Sequence, residues 1–365
     1  MKGIPSENNK ITHSWILSKN HDWYQYLQKF TNVDIYYTKE YVQLFAQVEG
    51  GEPEAIYFEN ETGTVFYPYI KRKVEIKEGY YDIISPYGYG GPMVEGNQNV
   101  IEAFYHDFKQ HCLNNHIITE TVRFHPLLNN VEYVKNYITV DYIRKTTAID
   151  LTPTLEKIRK TYTPNTRRNI RKAINEGVEV SISSRKEEVE IFMNLYEETM
   201  DRNQAFDFYY FDRSYFYQQM EETLYSKPFL IFAKYKEEFI AGVLLIIGEE
   251  YAHYHLGASK TKYMHLRPNN LLFDAMVEFS KSFRVKSLHL GGGYGDNDSL
   301  FKFKSSFTNN NHYDYYLGKN VLNEEVYREL VMMIRNDEND IDASSNFFPI
   351  YRSRKFFEKR GCSAQ

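Results

Sequence analysis

Cysteine is nearly missing from this chain of 365 residues: Cys112 and Cys362 are the only two, too few for a disulfide framework and without the paired spacing of a thiolate metal site. Long apolar runs are missing too, and no stretch approaches the roughly 20 residues needed to cross a bilayer. The first ten residues are polar and lack a basic segment followed by an apolar one, so the expectation is a cytoplasmic protein without a secretory leader. Excess charge is small: 44 Lys and Arg against 49 Asp and Glu leave a net −5, which speaks against a protein dedicated to coating nucleic acid. No Gly-Lys-Ser or Gly-Lys-Thr phosphate loop and no GxGxxG is present. Neither a Gly-x-Ser-x-Gly elbow nor a His-Glu-x-x-His helix occurs, so the hydrolase and zinc-protease readings lose their usual support.

What is present is ordinary globular composition, 42% hydrophobic and 25% charged. The length exceeds a single core of roughly 100–150 residues, so two domains are expected. Tyrosine is the outlier, with 33 residues; its ring and hydroxyl suit both sheet packing and polar ligand grooves. Strand patterns run over 34–37, 55–59 and 64–70, the last two joined by the turn-rich Asn60-Glu61-Thr62-Gly63. The spacing of Ile101, Phe104, Phe108 and Cys112 predicts a helix over 99–114, and a strand over 119–124 follows.

A second round opens with a strand over 148–151 and helical segments over 155–177 on either side of Pro164, which should break or start a helix there. A helix over 191–200, a hairpin of 229–235 with 239–247, a strand over 250–257, a helix over 270–283 and a strand over 287–290 complete it. Strands, helix, strand thus occur twice, which predicts two similar mixed α/β modules packed closely, with a groove between them.

Three local anomalies carry candidate chemistry. Tyr87 and Tyr89 sit in the loop Ser85-Pro86-Tyr87-Gly88-Tyr89-Gly90-Gly91-Pro92, where glycines could admit a ligand to the backbone or simply end a strand. Arg168, Arg171 and Lys172 fall near one helical face, able to clamp phosphate or carboxylate or to face solvent. The run from His289 through Gly291-Gly292-Gly293-Tyr294 to Asp296 ends a strand before Leu300, Phe301, Lys302, Phe303, Lys304 and Phe307. If Leu300, Phe303 and Phe307 share the buried face of a helix, Lys304 lies at its margin, aimed at a partly dry site or at water.

Strict alternation over 251–256 would place Tyr251, His253 and His255 on one face and Ala252, Tyr254 and Leu256 on the other. His255 is a general-base candidate by its titration range. Asp82 and Asp296 are alternatives, as is a carboxylate or phosphate of the substrate itself. No acidic or cysteine partner at metal spacing accompanies the two histidines, so no metal site is expected.

Taken in order, Tyr162 to Gly177 with Arg-Arg-Asn-Ile-Arg-Lys, Leu266 to Leu272 with Arg-Pro-Asn-Asn-Leu-Leu, Leu290-Gly291-Gly292-Gly293, and Leu300 to Phe307 are similar to the Fem (FemABX) family. That family comprises peptidoglycan-bridge aminoacyltransferases and the related GNAT-like domains of envelope-polysaccharide clusters. The resemblance implies two tandem acetyltransferase-type modules side by side with a shared groove. The first would be 1–147, completed by 312–365, and the second 148–311. It places Lys304, in Leu300-x-x-Phe303-Lys304-x-x-Phe307, as the group that stabilises developing negative charge. Tyr87, Tyr89, Arg168, Arg171, Tyr254, Asn269, Asn270 and Tyr294 are the substrate-binding candidates.

The chain lacks a long heptad-patterned insertion, so it resembles the compact members. Its segment 259–268 contains no glycine, unlike the pyrophosphate loop of acyl-CoA enzymes. The expected activity is transfer of an aminoacyl group from aminoacyl-tRNA, or of an acyl group, to an amine of a nucleotide-linked or lipid-linked peptidoglycan or other envelope precursor. Only the acceptor end of the tRNA would enter, and no cofactor would be bound tightly. The alternatives are an acyl-CoA-dependent N-acetyltransferase acting on an amino sugar of a surface polysaccharide, and a non-catalytic ligand-binding module.

Overall fold

A computed structural model describes residues 13–336 and 347–353. The chain divides into two compact units. Of the described residues, 13–31, 36–141, 316–336 and 347–351 fall in the first, and 32–35, 142–315 and 352–353 in the second.

The first unit contains β1 (His13–Ser18), α1 (Tyr24–Leu27), α2 (Lys39–Glu49), β2 (Gly51–Asn60), β3 (Gly63–Lys73), β4 (Tyr81–Ile84), β5 (Met93–Gly96), α3 (Asn99–Asn114), β6 (Ile117–Arg123) and α4 (Val131–Val134). The chain leaves it along β7 (Thr139–Asp150). The second unit follows with α5 (Leu155–Thr161), α6 (Pro164–Asn175), β8 (Glu179–Ser183), α7 (Val189–Arg202), α8 (Arg213–Gln219), β9 (Lys227–Tyr235), β10 (Glu238–Ile247), β11 (Tyr251–Ser259), α9 (Pro268–Ser282), β12 (Ser287–Gly291) and α10 (Ser299–Ser305). The chain returns to the first unit along β13 (His312–Val321) and α11 (Glu324–Asn336).

In the first unit the strands run β1-β2-β3-β4-β6-β13, with β5 on β3. All pairs are antiparallel except β4 with β6. In the second they run β7-β12-β11-β10-β9-β8, and only β11 with β12 is parallel. Each unit therefore repeats one topology: four antiparallel strands (β1 to β4, or β8 to β11), a crossover helix (α3 or α9), a strand parallel to the fourth, and an antiparallel strand beyond it. A parallel neighbour needs a crossover, and burying the helix on the sheet provides one. Helix α3 does this through Ile101, Phe104, Phe108 and Cys112, the stripe read from the sequence, all buried. Helix α9 does it through Leu272, Phe273, Met276 and Val277. Cys112 is a free, buried thiol, and Cys362 lies outside the described residues.

Pro164 starts α6, one of the two outcomes expected of it: Thr163 caps the helix by accepting from the Thr166 N–H, and the proline occupies the first turn, where its missing N–H costs nothing. The strand expected over 34–37 is instead a 3-10 turn, Ile35–Tyr37. Tyr36 and Tyr37 are buried there, and Thr38 immediately caps α2. Among the described residues no helix is long and apolar enough to cross a membrane, and no three His, Cys, Asp or Glu side chains are grouped to hold a metal ion.

Candidate active site

Strands β11 and β12 pair over three positions only, ending at His253 with His289, while β11 runs on to Ser259. Past that point the two strands no longer pair, and the residues there surround a buried lysine, Lys304. Helix α10 starts at Asp298, whose carboxylate accepts from the Phe301 N–H at 2.7 Å and, back along the loop, from the N–H groups of Tyr294 at 2.6 Å and Gly295 at 3.0 Å. Burial opposes the Asp298 charge, but these backbone donors hold its pKa below the usual aspartate value. Gly293 is needed for this arrangement, because a Cβ there would stand 2.0 Å from Asp298 Oδ1. Arg144 grips the same loop from β7, donating to the carbonyls of Gly293 at 2.7 Å and Tyr294 at 2.8 Å.

Lys304 completes the cluster. Its side chain is 6% exposed, Nζ donates to the Gly292 carbonyl at 2.7 Å, and the ammonium lies 5.1 Å from the centre of the Tyr254 ring. Burial lowers its pKa from 10.5 to about 7; Asp298 partly opposes that shift and Arg144 adds to it. Tyr254 packs on Phe273 of α9, and its hydroxyl lies over Gly257, where a Cβ would come within 2.0 Å of it. Burial raises the Tyr254 pKa, with Tyr294 adding to the effect, so the phenol stays protonated and can donate.

Lys304 is thus buried rather than marginal, and the face assignment shifts. Helix α10 ends at Ser305, with Phe301 and Lys304, three apart, on its inner side. Leu300 and Phe303 are half-buried, and Phe307 packs from the turn beyond the helix. Alternation in β11 breaks as well: Leu244 faces Leu256 and Leu245 faces Tyr254, so His255 is the extra residue of a bulge. His253 bonds both oxygens of Asp34 at 2.9 Å, and His255 Nε2 pairs with the Tyr215 hydroxyl at 2.8 Å, so the two histidines do not converge. Burial, with a smaller contribution from His253, pushes His255 down to about 3, leaving it neutral and a weak base.

The remaining candidates are spread through the chain. Tyr294 is 68% exposed on the loop held by Arg144. Asn269 lies in the first turn of α9, 3.5 Å from Ser259 Oγ, and Asn270 is buried behind it. Arg168 and Arg171 are exposed on α6; Arg168 donates to Asn165 at 2.6 Å, and no hydrogen bond or ion pair joins either arginine to Lys304 or Tyr254. In the first unit, Tyr87 stacks on Phe45, and Tyr89 lies against Tyr36 and His125. The glycines of that loop serve internal packing: a Cβ on Gly88 would stand 2.5 Å from the Tyr36 ring, and the Gly90 carbonyl accepts from Asn130 at 2.8 Å. Asp82 is fully buried, bonded to Arg72 at 2.9 Å and to Tyr351 at 3.2 Å, and so is closed to a substrate.

Sequence reasoning missed Arg144, Asp298 and Gly257. Asp298 carried a readable signal, an acidic cap just before a helix; Arg144 and Gly257 act on partners that their local sequence does not reveal.

Residues 159–305 match the family model described as an acetyltransferase (GNAT) domain. The chain is accordingly an acyltransferase carrying a GNAT-type domain over those residues, and its repeated topology is consistent with two GNAT-like modules. No curated protein sequence matches the chain. Among solved structures it is similar to FemX, with a TM-score of 0.66 at 14% identity over 87% of this chain and 99% of that one. It is also similar to L-PGS from Bacillus licheniformis, with a TM-score of 0.52 at 13% identity over 86% and 95% of the respective chains. At these identities the likeness is one of fold.

Proposed function

We propose that this acyltransferase moves an aminoacyl or acyl group from an activated ester or thioester onto an amine of a cell-envelope precursor, with Lys304 as the catalytic cation. The observation that carries the reading is the buried Lys304 ammonium, held on the Gly292 carbonyl and the Tyr254 ring inside the matched acetyltransferase domain. The acceptor amine attacks the donor carbonyl, the new C–N bond forms, and the C–O or C–S bond to the carrier breaks. The carbonyl oxygen gains negative charge on the way, and a cation fixed in a dry site stabilises that charge without reorganising. Lys304 spends one donor on Gly292 and retains others for the oxyanion. Tyr254, Tyr294 and Asn269 are proposed to position the substrates.

With Asp82 locked and His255 weakly basic, the amine's proton is proposed to pass to the departing carrier or to a carboxylate or phosphate of the substrate. The envelope acceptor rests on the resemblance of the sequence to the Fem family.

The donor is proposed to be aminoacyl-tRNA. Backbone N–H groups where an acyl-CoA pyrophosphate loop would lie are already engaged: Ser259 by Thr199, Lys260 by Ile240, Thr261 by the Glu198 carboxylate at 3.0 Å, and Arg267 by Met264. A carboxylate at the Thr261 N–H disfavours an anion there. The second reading, an acyl-CoA-dependent N-acetyltransferase acting on an amino sugar, is favoured by the acetyltransferase match itself. Thermal melting with acetyl-CoA, CoA, charged tRNA and nucleotide-linked amino-sugar or muramyl-peptide precursors separates the two. A shift with CoA compounds alone selects the second reading, and a shift with charged tRNA and a precursor selects the first.

A further inference from the structure

The hairpin of α5 and α6 concentrates positive charge in a chain that is acidic overall. Residues 155–176 hold seven cations, Lys157, Arg159, Lys160, Arg167, Arg168, Arg171 and Lys172, against Glu156 and Glu176, whereas the whole chain carries −5. Two of the seven are neutralised: Arg159 by Asp274 at 2.7 Å and Glu278 at 2.7 Å, and Lys160 by Glu156. Among the described residues no carboxylate lies within 4.0 Å of the other five. Arg168, Arg171 and Lys172 are exposed, and among the described residues no ion pair offsets their mutual repulsion. An external anion would.

The surface is not purely polar. Ile174 is 56% exposed, and it follows Arg167 by seven residues and Arg171 by three, so it rises from the same helical stripe. An open depression between α5 and α6 is lined by Leu155, Glu156, Arg159, Lys160 and Arg167, three of them cations. A nucleic acid backbone would meet such a face through its phosphates, which offer the exposed Ile174 side chain no apolar partner. An aliphatic side chain among arginines suits the headgroup boundary of a bilayer, where charge meets anionic lipid and a short apolar group enters the acyl edge.

We infer that this hairpin docks the protein on an anionic phospholipid surface, with Arg167 and Arg171, which share its stripe, on headgroup phosphates beside Ile174 at the acyl boundary, and Arg168 and Lys172 on the adjoining face adding to the attraction. The inference concerns binding alone and stands apart from the proposed reaction.

Sedimentation of the full chain with vesicles tests it, comparing phosphatidylcholine alone with the same lipid containing about 30% phosphatidylglycerol. Binding to the anionic vesicles is expected, lost as salt rises from about 0.1 to about 0.5 M. The triple variant Arg168→Glu/Arg171→Glu/Lys172→Glu, at exposed positions that leave melting unchanged, should bind at least about 100-fold more weakly, since each basic residue is worth about fivefold. Ile174→Asp should weaken binding with every cation in place. Equal binding of the triple variant, or failure of the unaltered protein to bind anionic vesicles, overturns the inference. Salt-dependent binding of tRNA through the same three residues, with vesicles ignored, also overturns it and makes the face an RNA contact.

Discussion

Replacing Lys304 by methionine should stabilise the fold near neutral pH while crippling transfer. Burial brings the Lys304 pKa from 10.5 to about 7, so keeping the ammonium charged in the folded protein costs about 5 kcal/mol at and below pH 7. That figure is the net of burial against the favourable contacts of the ammonium, the Gly292 hydrogen bond and the Tyr254 ring among them. Methionine fills the same space without a charge but leaves the Gly292 carbonyl without its donor, at about 1–3 kcal/mol, so the variant should gain about 2–4 kcal/mol at pH 7.

The sign with pH follows from the same shift. Between pH 7 and 10.5 the unfolded chain keeps the lysine proton that the folded chain has released, so wild-type stability rises with pH across that window. From pH 7 to about pH 9 the advantage of the variant should shrink by about 2 kcal/mol. Urea unfolding of both proteins at the two pH values measures it, with matched slopes as the control for two-state behaviour. A gap that does not change with pH, or a variant less stable at pH 7, would refute a buried, depressed Lys304.

The other predictions concern what surrounds that lysine. Gly257→Ala should cost about 1–3 kcal/mol, because the new methyl meets the Tyr254 hydroxyl 2.0 Å away; adding Tyr254→Leu should recover much of the loss in a double-mutant cycle of melting curves. Asp298→Ala removes the α10 cap and the acceptor for two loop N–H groups and should cost about 2 kcal/mol by urea unfolding. Asp34→Ala leaves the buried His253 ring without the carboxylate it bonds and should cost about 2 kcal/mol, of which Asp34→Asn should restore part. If Lys304 acts as a cation, kcat/KM should carry a descending limb as pH rises through about 7, and Lys304→Arg should abolish that limb.

Periodicity carried much of the fold. The stripe Ile101, Phe104, Phe108 and Cys112 matched α3 because a lone crossover helix must bury one continuous face. Pro164 and the hairpin of β9 and β10 were legible because their signals are local. Helix α2 went unread although Thr38 caps it and Gly50 ends it in the left-handed region at φ 72; the apolar residues just before it looked like a strand. In the site, Lys304 was legible as a residue, but its burial was not. The Gly292 carbonyl, the Tyr254 ring and Arg144 come from three other strands or loops, and the bulge at His255 depends on the partner strand β10. Pattern reading sees neither.

The most direct test of the account is the transfer itself. The full-length protein is incubated with an envelope precursor bearing a free amine and a donor labelled in its acyl group, either charged tRNA or acetyl-CoA. Label is then sought in a new amide of the precursor. The account predicts labelled amide with the wild type, and turnover reduced about 100-fold in Lys304→Ala, with folding intact. Unchanged turnover in Lys304→Ala, or no amide from either donor, would contradict it.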